Sequence, residues 1–223
     1  MNYLQRHWNV RETMIVITTA CVLMVIIESV LQPTYAVKSA TKLLLFLGSI
    51  FIYERICSRK ILSMDFNKKA LWRIGILAIG SYLLILGGYF LIQDYLDIEQ
   101  IKASLMGKEG IDRGNFLFVA IYISVVNSFV EELFFRGFAF QELYKMGYHK
   151  VAYLFSAGAF AIYHVGIISG WFSVPVFVLM IAGLFAAGMV LNLFCRYADS
   201  IFGSWIIHAS ANLAINTIGF MIL

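Results

Sequence analysis

Apolar runs of about twenty residues, separated by short polar stretches, recur along the whole chain. Taking ~20 residues as the length of helix that crosses the hydrocarbon of a bilayer, the pattern predicts spans at about 13–32, 37–57, 73–93, 116–145, 150–169, 172–195 and 200–221. That is about seven transmembrane helices, within a range of six to eight. The first run, after MNYLQRHWNVRE, is too long for a signal-peptide core and no small-residue cleavage site follows it, so it reads as a retained span. Only two prolines occur, Pro33 closing the first helix and Pro175 in the first turn of the sixth, both positions a helix tolerates. From Asn115 to Lys145 there is no proline and one internal glycine, Gly137, so ~30 residues can run as one tilted or kinked helix. No internal repeat or low-complexity stretch divides the chain, and residues 1–223 read as a single integral membrane domain. The expected fold class is all-α, a polytopic bundle.

Composition sharpens this picture. Hydrophobic residues make up 61% and charged residues 13%, against roughly a quarter charged in soluble domains, which excludes a soluble globular enzyme. The net charge of +4 is small, and nothing points to a nucleic-acid partner; the implied partner is the lipid bilayer. Counting Lys and Arg by side, with the N-terminus inside, leaves only Lys38, Lys42, Lys102, Lys108 and Arg113 outside, so the positive-inside rule predicts a cytoplasmic N-terminus. Segment 58–72 mixes basic residues with Ile61, Leu62, Met64, Phe66, Leu71 and Trp72, a pattern suited to the headgroup layer. Loop 94–115 carries five carboxylates and reads as solvated polar chain without chemistry. Cys21, Cys57 and Cys195 lack any ligand spacing and read as packing residues.

Against that background the stretch SFVEELFFRGF, residues 128–138, is anomalous, because ionisable residues inside a membrane helix are costly and mark function by default. Residues four apart on a helix share a face while adjacent ones point about 100° apart. Glu132 and Arg136 are therefore placed to pair as a structural brace. Glu131 points elsewhere, with no cation on its own helix, and is left available as a general base.

Two later helices offer it partners. FAIYH sets Phe160 and His164 one turn apart on the fifth helix, and HASAN sets His208 and Asn212 one turn apart on the seventh. Small residues flank both motifs and allow the close helix approach that would bring a carboxylate, two imidazoles and an amide into one pocket. Such a set can activate water and donate hydrogen bonds to an oxyanion. Taken singly, each has a plainer reading: a lone histidine or Asn212 as interhelical glue, Glu132 with Arg136 as a structural pair. Glu28, Asn127, Asn192 and Asn216 are assigned no partner and read as packing or channel-lining residues.

The order EELFFR (131–136), FAIYH (160–164), HASAN (208–212) resembles the EExxxR, FxxxH and HxxxN motifs of the CPBP family, the CAAX proteases and bacteriocin-processing enzymes also called Abi. The resemblance covers about residues 114–221, the motif-bearing core. It implies an intramembrane endopeptidase that cuts a small membrane-associated peptide, with a site open to the cytosolic side. Bacteriocin or pheromone maturation, or self-immunity, in a bacterial cell membrane is the expected role. By the same resemblance Glu131, aided by His164, activates water, while His208 and Asn212 hold the oxyanion and Glu132, Arg136 and Phe160 support them. No cofactor is expected; the alternative is zinc held by Glu131, His164 and His208, for which the sequence shows no supporting partners. The competing functional class is a peptide-binding scaffold that does not cut. A transporter is a further alternative, but no inverted repeat points to one.

Overall fold

The computed structural model describes residues 9–57, 60–61 and 70–223. Most of the basic 58–72 segment, and with it the expectation of an interfacial stretch, lies outside the described residues. Among the described residues all regular structure is helical, and seven helices are long and apolar enough to cross a membrane. They are α1 (Val10–Leu31), α2 (Tyr35–Cys57), α3 (Leu71–Tyr95), α4 (Phe116–Lys145), α5 (His149–Ile168), α6 (Val174–Ala198) and α7 (Ile201–Ile222). The protein is an all-α polytopic bundle.

Local chemistry sets the helix ends. Asn9 and Glu12 form a reciprocal capping box that starts α1, with Asn9 Oδ1 accepting from the Glu12 amide at 3.0 Å and Glu12 Oε2 accepting from the Asn9 amide at 3.1 Å. Gln32 in the left-handed region, followed by Pro33, ends it. Pro175 occupies the first turn of α6, where its missing N–H costs nothing. Between α4 and α5 the chain reverses at Gly147, whose φ of 90° favours glycine. There the Tyr148 amide donates back to the Leu143 carbonyl at 3.1 Å.

Burial ranks the helices. In α4, 56% of the most apolar window is buried, against 11% for α3 and for α6, so α4 is the central helix. Its partners are α2, α5 and α7, while α3 presents Leu83, Leu84 and Leu91 to the outside, the surface a bilayer covers. At ~1.5 Å per residue, α4's 30 residues extend about 45 Å. It is not uniform: two wide π-helical stretches, Tyr122–Asn127 and Leu133–Gln141, flank a short α-helical stretch, Ser128–Glu132, that carries both glutamates. Such wide turns often accompany functional sites. An aromatic wall backs this region, with Phe46 of α2 stacked on Phe134 at 4.0 Å and packed edge-on against Phe135 and Tyr163.

Loop 94–115 departs from the expected solvated chain. It forms a short helix, Ile98–Ala103, and a wide turn, buries Ile101 and Ile111, and delivers Glu109 to Lys38. The reason is a buried cation on α2 that needs a counter-ion. Lys38 and Lys42, counted above with the outer charges, lie inside the bundle, 2% and 8% exposed.

Candidate active site

The paired brace is present. Arg136 Nη1 lies 3.1 Å from Glu132 Oε1, and both side chains are fully buried. The guanidinium also sits 4.4 Å from the centre of the Phe160 ring, a cation–π contact from α5. On its other side Glu132 Oε1 is 2.8 Å from His208 Nδ1 of α7. One carboxylate thus joins α4 to α7 while its arginine packs on α5.

Glu131 is 2% exposed and its two oxygens face different neighbours. Oε1 accepts hydrogen bonds from Asn127 Nδ2 at 2.8 Å, from the Tyr163 hydroxyl at 3.2 Å and from Lys42 Nζ at 3.4 Å. Oε2 faces two imidazole nitrogens, His208 Nε2 at 3.8 Å and His164 Nε2 at 4.0 Å. The expectation of a carboxylate without a partner is therefore corrected: a cation reaches Glu131, but from α2 rather than from its own helix. Four fixed charges, Lys42, Arg136, Glu131 and Glu132, balance within the cluster.

Both imidazoles are anchored through Nδ1. His164 Nδ1 lies 2.7 Å from the Phe160 carbonyl, which can only accept, so this nitrogen carries a proton and the neutral ring presents an acceptor at Nε2. His208 Nδ1 lies 2.8 Å from Glu132 Oε1, a carboxylate oxygen that accepts, so this nitrogen also carries a proton. Phe160 organises the group, its carbonyl fixing His164 and its ring packing against His164 and His208 at 4.6 and 5.6 Å. The supporting partners that the sequence did not show are thus present.

Asn212 is the sequence-identified residue that the cluster does not include. It follows His208 by one turn on α7, is half-buried, and its Nδ2 donates to the Ile123 carbonyl at 3.2 Å. The amide nitrogen carries a second proton. Asn127, left unassigned above, sits one turn before Glu131 on the same face, and that four-residue spacing was a signal for it. Lys42 was readable too: Lys38, Lys42, Phe46, Ile50 and Tyr53 form the buried stripe of α2 at helical spacing. Asn192 receives the Ser156 hydroxyl at 3.1 Å, and Asn216 donates to Ser124 Oγ at 2.9 Å, so both serve in packing.

As a zinc site the trio fits poorly. Ligand atoms on tetrahedral zinc with ~2.0–2.1 Å bonds lie about 3.3–3.5 Å apart, closer than the separations of 3.8 and 4.0 Å here, and Lys42 adds a fixed positive charge beside the carboxylate. Among the described residues no group of three or more His, Cys, Asp or Glu is disposed to hold a metal ion.

A mostly buried cluster of two acids, two bases and two imidazoles at the centre of a seven-helix bundle defines an intramembrane site of acid–base character. Residues 113–214 match the family model described as type II CAAX prenyl endopeptidase Rce1-like. The match covers a little under half of the chain, includes all three motifs, and is to a model of the CAAX protease family. No curated protein and no solved structure gives a significant match.

Proposed function

We propose that the protein is a CAAX-type intramembrane endopeptidase that hydrolyses a small membrane-associated peptide with water activated by Glu131 and no metal. The observation that carries this reading is the asymmetry of Glu131: Oε1 is held by three donors, while Oε2 faces two imidazole nitrogens across gaps too long for a direct hydrogen bond. A water between Oε2 and His164 Nε2 would donate to both. Its oxygen would then bond to the scissile carbonyl carbon as one proton passes to Oε2. His208, in the form that donates from both ring nitrogens with Nδ1 on Glu132, and the second amide proton of Asn212 would stabilise the oxyanion. The proton on Glu131 would pass to the leaving nitrogen as the C–N bond breaks.

The substrate class we propose is a bacteriocin or pheromone precursor, or a peptide handled in self-immunity, in a bacterial cell membrane. With Lys38 and Lys42 inside the bundle, Lys102, Lys108 and Arg113 remain as outer cations, which favours a cytoplasmic N-terminus. The test is to incubate purified wild type and Glu131→Gln with candidate leader peptides and identify products by mass spectrometry. Cleavage by the wild type alone supports the reading. Full biological function in Glu131→Gln would favour a scaffold that binds without cutting.

A further inference from the structure

Lys42 is absent from all three motifs and from the matched segment, yet its ammonium reaches the carboxylate proposed to act as base. It lies two turns into α2 and is 8% exposed. A buried ammonium is costly unless it is paired and hydrogen-bonded. Here its partners are Asn127 Oδ1 at 2.7 Å, Glu131 Oε1 at 3.4 Å and the Tyr163 ring, whose centre is 5.1 Å away. Each of these also touches Glu131 or is Glu131 itself.

The hydrogen-bond logic runs one way. An ammonium only donates, so it fixes the Asn127 amide with its oxygen towards α2 and its nitrogen towards Glu131. Asn127 Nδ2 then donates to Oε1 at 2.8 Å, and the Tyr163 hydroxyl donates to the same oxygen at 3.2 Å. Lys42 orients one of these donors, packs on the ring of the other and reaches the same oxygen itself. Tyr163 and His164 are neighbours on α5, so one helix offers a hydroxyl to Oε1 and an imidazole to Oε2. The carboxylate is clamped on one oxygen and presented by the other.

We infer that Lys42 is a positioning residue: through Asn127 and Tyr163 it locks Oε1 of Glu131, so that Oε2 is the oxygen turned to the reacting water. The inference rests on the peptidase reading above and adds to it a residue from outside the matched half of the chain. A merely structural lysine is available for comparison one turn away. Lys38 sits on the same stripe and pairs with Glu28 and Glu109 without touching the site.

The test uses the full chain, purified in detergent, with the peptide that wild type cleaves and Glu131→Gln does not. Lys42→Met keeps the length of the side chain and removes its charge; it should lower kcat by about 10²-fold with KM little changed, because a misdirected reactive group costs rate rather than binding. Lys42→Arg should recover much of that loss, and Lys38→Met should lower the melting temperature while leaving kcat at the wild-type value. Lys42→Gln, which retains an N–H donor for Asn127, serves as the charge-free variant if Lys42→Met does not fold, with the same expected split between kcat and KM. A melting cycle over Lys42→Gln and Glu131→Gln reads the contact without catalysis, and the two effects should be non-additive. Wild-type kcat in the folded charge-free variants, or additive melting shifts, would overturn the inference while the peptidase reading stands. Absence of cleavage by wild type would instead defeat the peptidase reading, with the melting cycle still deciding whether Lys42 holds Glu131.

Discussion

Two buried charge clusters hang from the same face of α2, one turn apart, and they are built to opposite specifications. At Lys38 the ammonium is clasped between carboxylates, with Glu109 oxygens at 2.8 and 2.9 Å and Glu28 Oε2 at 3.2 Å. The ion set fastens loop 94–115 to α1 and α2, and Gly166 of α5 passes close by, where a Cβ would come within 2.9 Å of the Glu28 Cβ. At Lys42 the charges balance in number but the contacts are deliberately incomplete: one carboxylate oxygen is saturated and the other faces nitrogens at 3.8 and 4.0 Å. A satisfied ion set closes space and fixes structure. At Glu131 one oxygen without a direct hydrogen bond faces two anchored imidazoles, and the reading proposed above gives that gap to the reacting water.

The sharpest way to break the comparison is at the acids themselves. Glu131→Gln should reduce peptide turnover by about 10²-fold or more in a protein that still folds, melting lower because Lys42 loses its carboxylate, whereas Glu109→Gln should leave turnover intact and lower the melting temperature; equal effects of the two on turnover would erase the distinction. Arg136→Ala comes next, because it strands the Glu132 carboxylate in a fully buried setting. A loss of about 3 kcal/mol or more is expected, read as poor folded yield in detergent together with lost activity, and a variant that expresses and melts like wild type would show the brace to be dispensable. Asn212→Ala should be milder still, retaining a measurable residual rate, since its amide already serves the Ile123 carbonyl. The smallest effect is expected from chelators, which should leave turnover unchanged. Stoichiometric zinc in active preparations, with activity lost on chelation and restored by the metal, would replace the metal-free mechanism and leave the clasp untouched.

Much of the architecture was legible because the bilayer imposes a length. All seven spans were readable as apolar runs, and the ends of α4 fell where the sequence placed them, at Phe116 and Lys145. The pairing of Glu132 with Arg136 was legible because a four-residue helical spacing is local. The gathering of His164 and His208 around Glu131 was anticipated from the small residues that flank both histidines, although which nitrogen faces which oxygen depends on helix rotation that spacing does not encode. The inward stripe of α2 placed Lys42 on a buried face, but its partners escaped for a different reason. A lysine near the end of a membrane helix ordinarily extends to the headgroups, and nothing within α2 reveals that Asn127 and Glu131, 85 and 89 residues away, are waiting for it. The Lys38–Glu109 pair, separated by 71 residues, was hidden in the same manner.

The wide turn of α4 at Leu133–Gln141 gives the protein a built-in phase setting between its two ends. Beyond that stretch Glu142 receives the Tyr53 hydroxyl at 2.5 Å and the Lys145 ammonium at 2.8 Å, so the far end of α4 is keyed to α2 at a second point. Deleting one residue between Gly137 and Gln141 would turn everything beyond it by about 100° relative to the glutamates, swinging Glu142 away from Tyr53 while Glu131, Glu132 and Arg136 keep their spacing. α4 thus behaves as a shaft locked at both ends, with its angular offset written into a single segment.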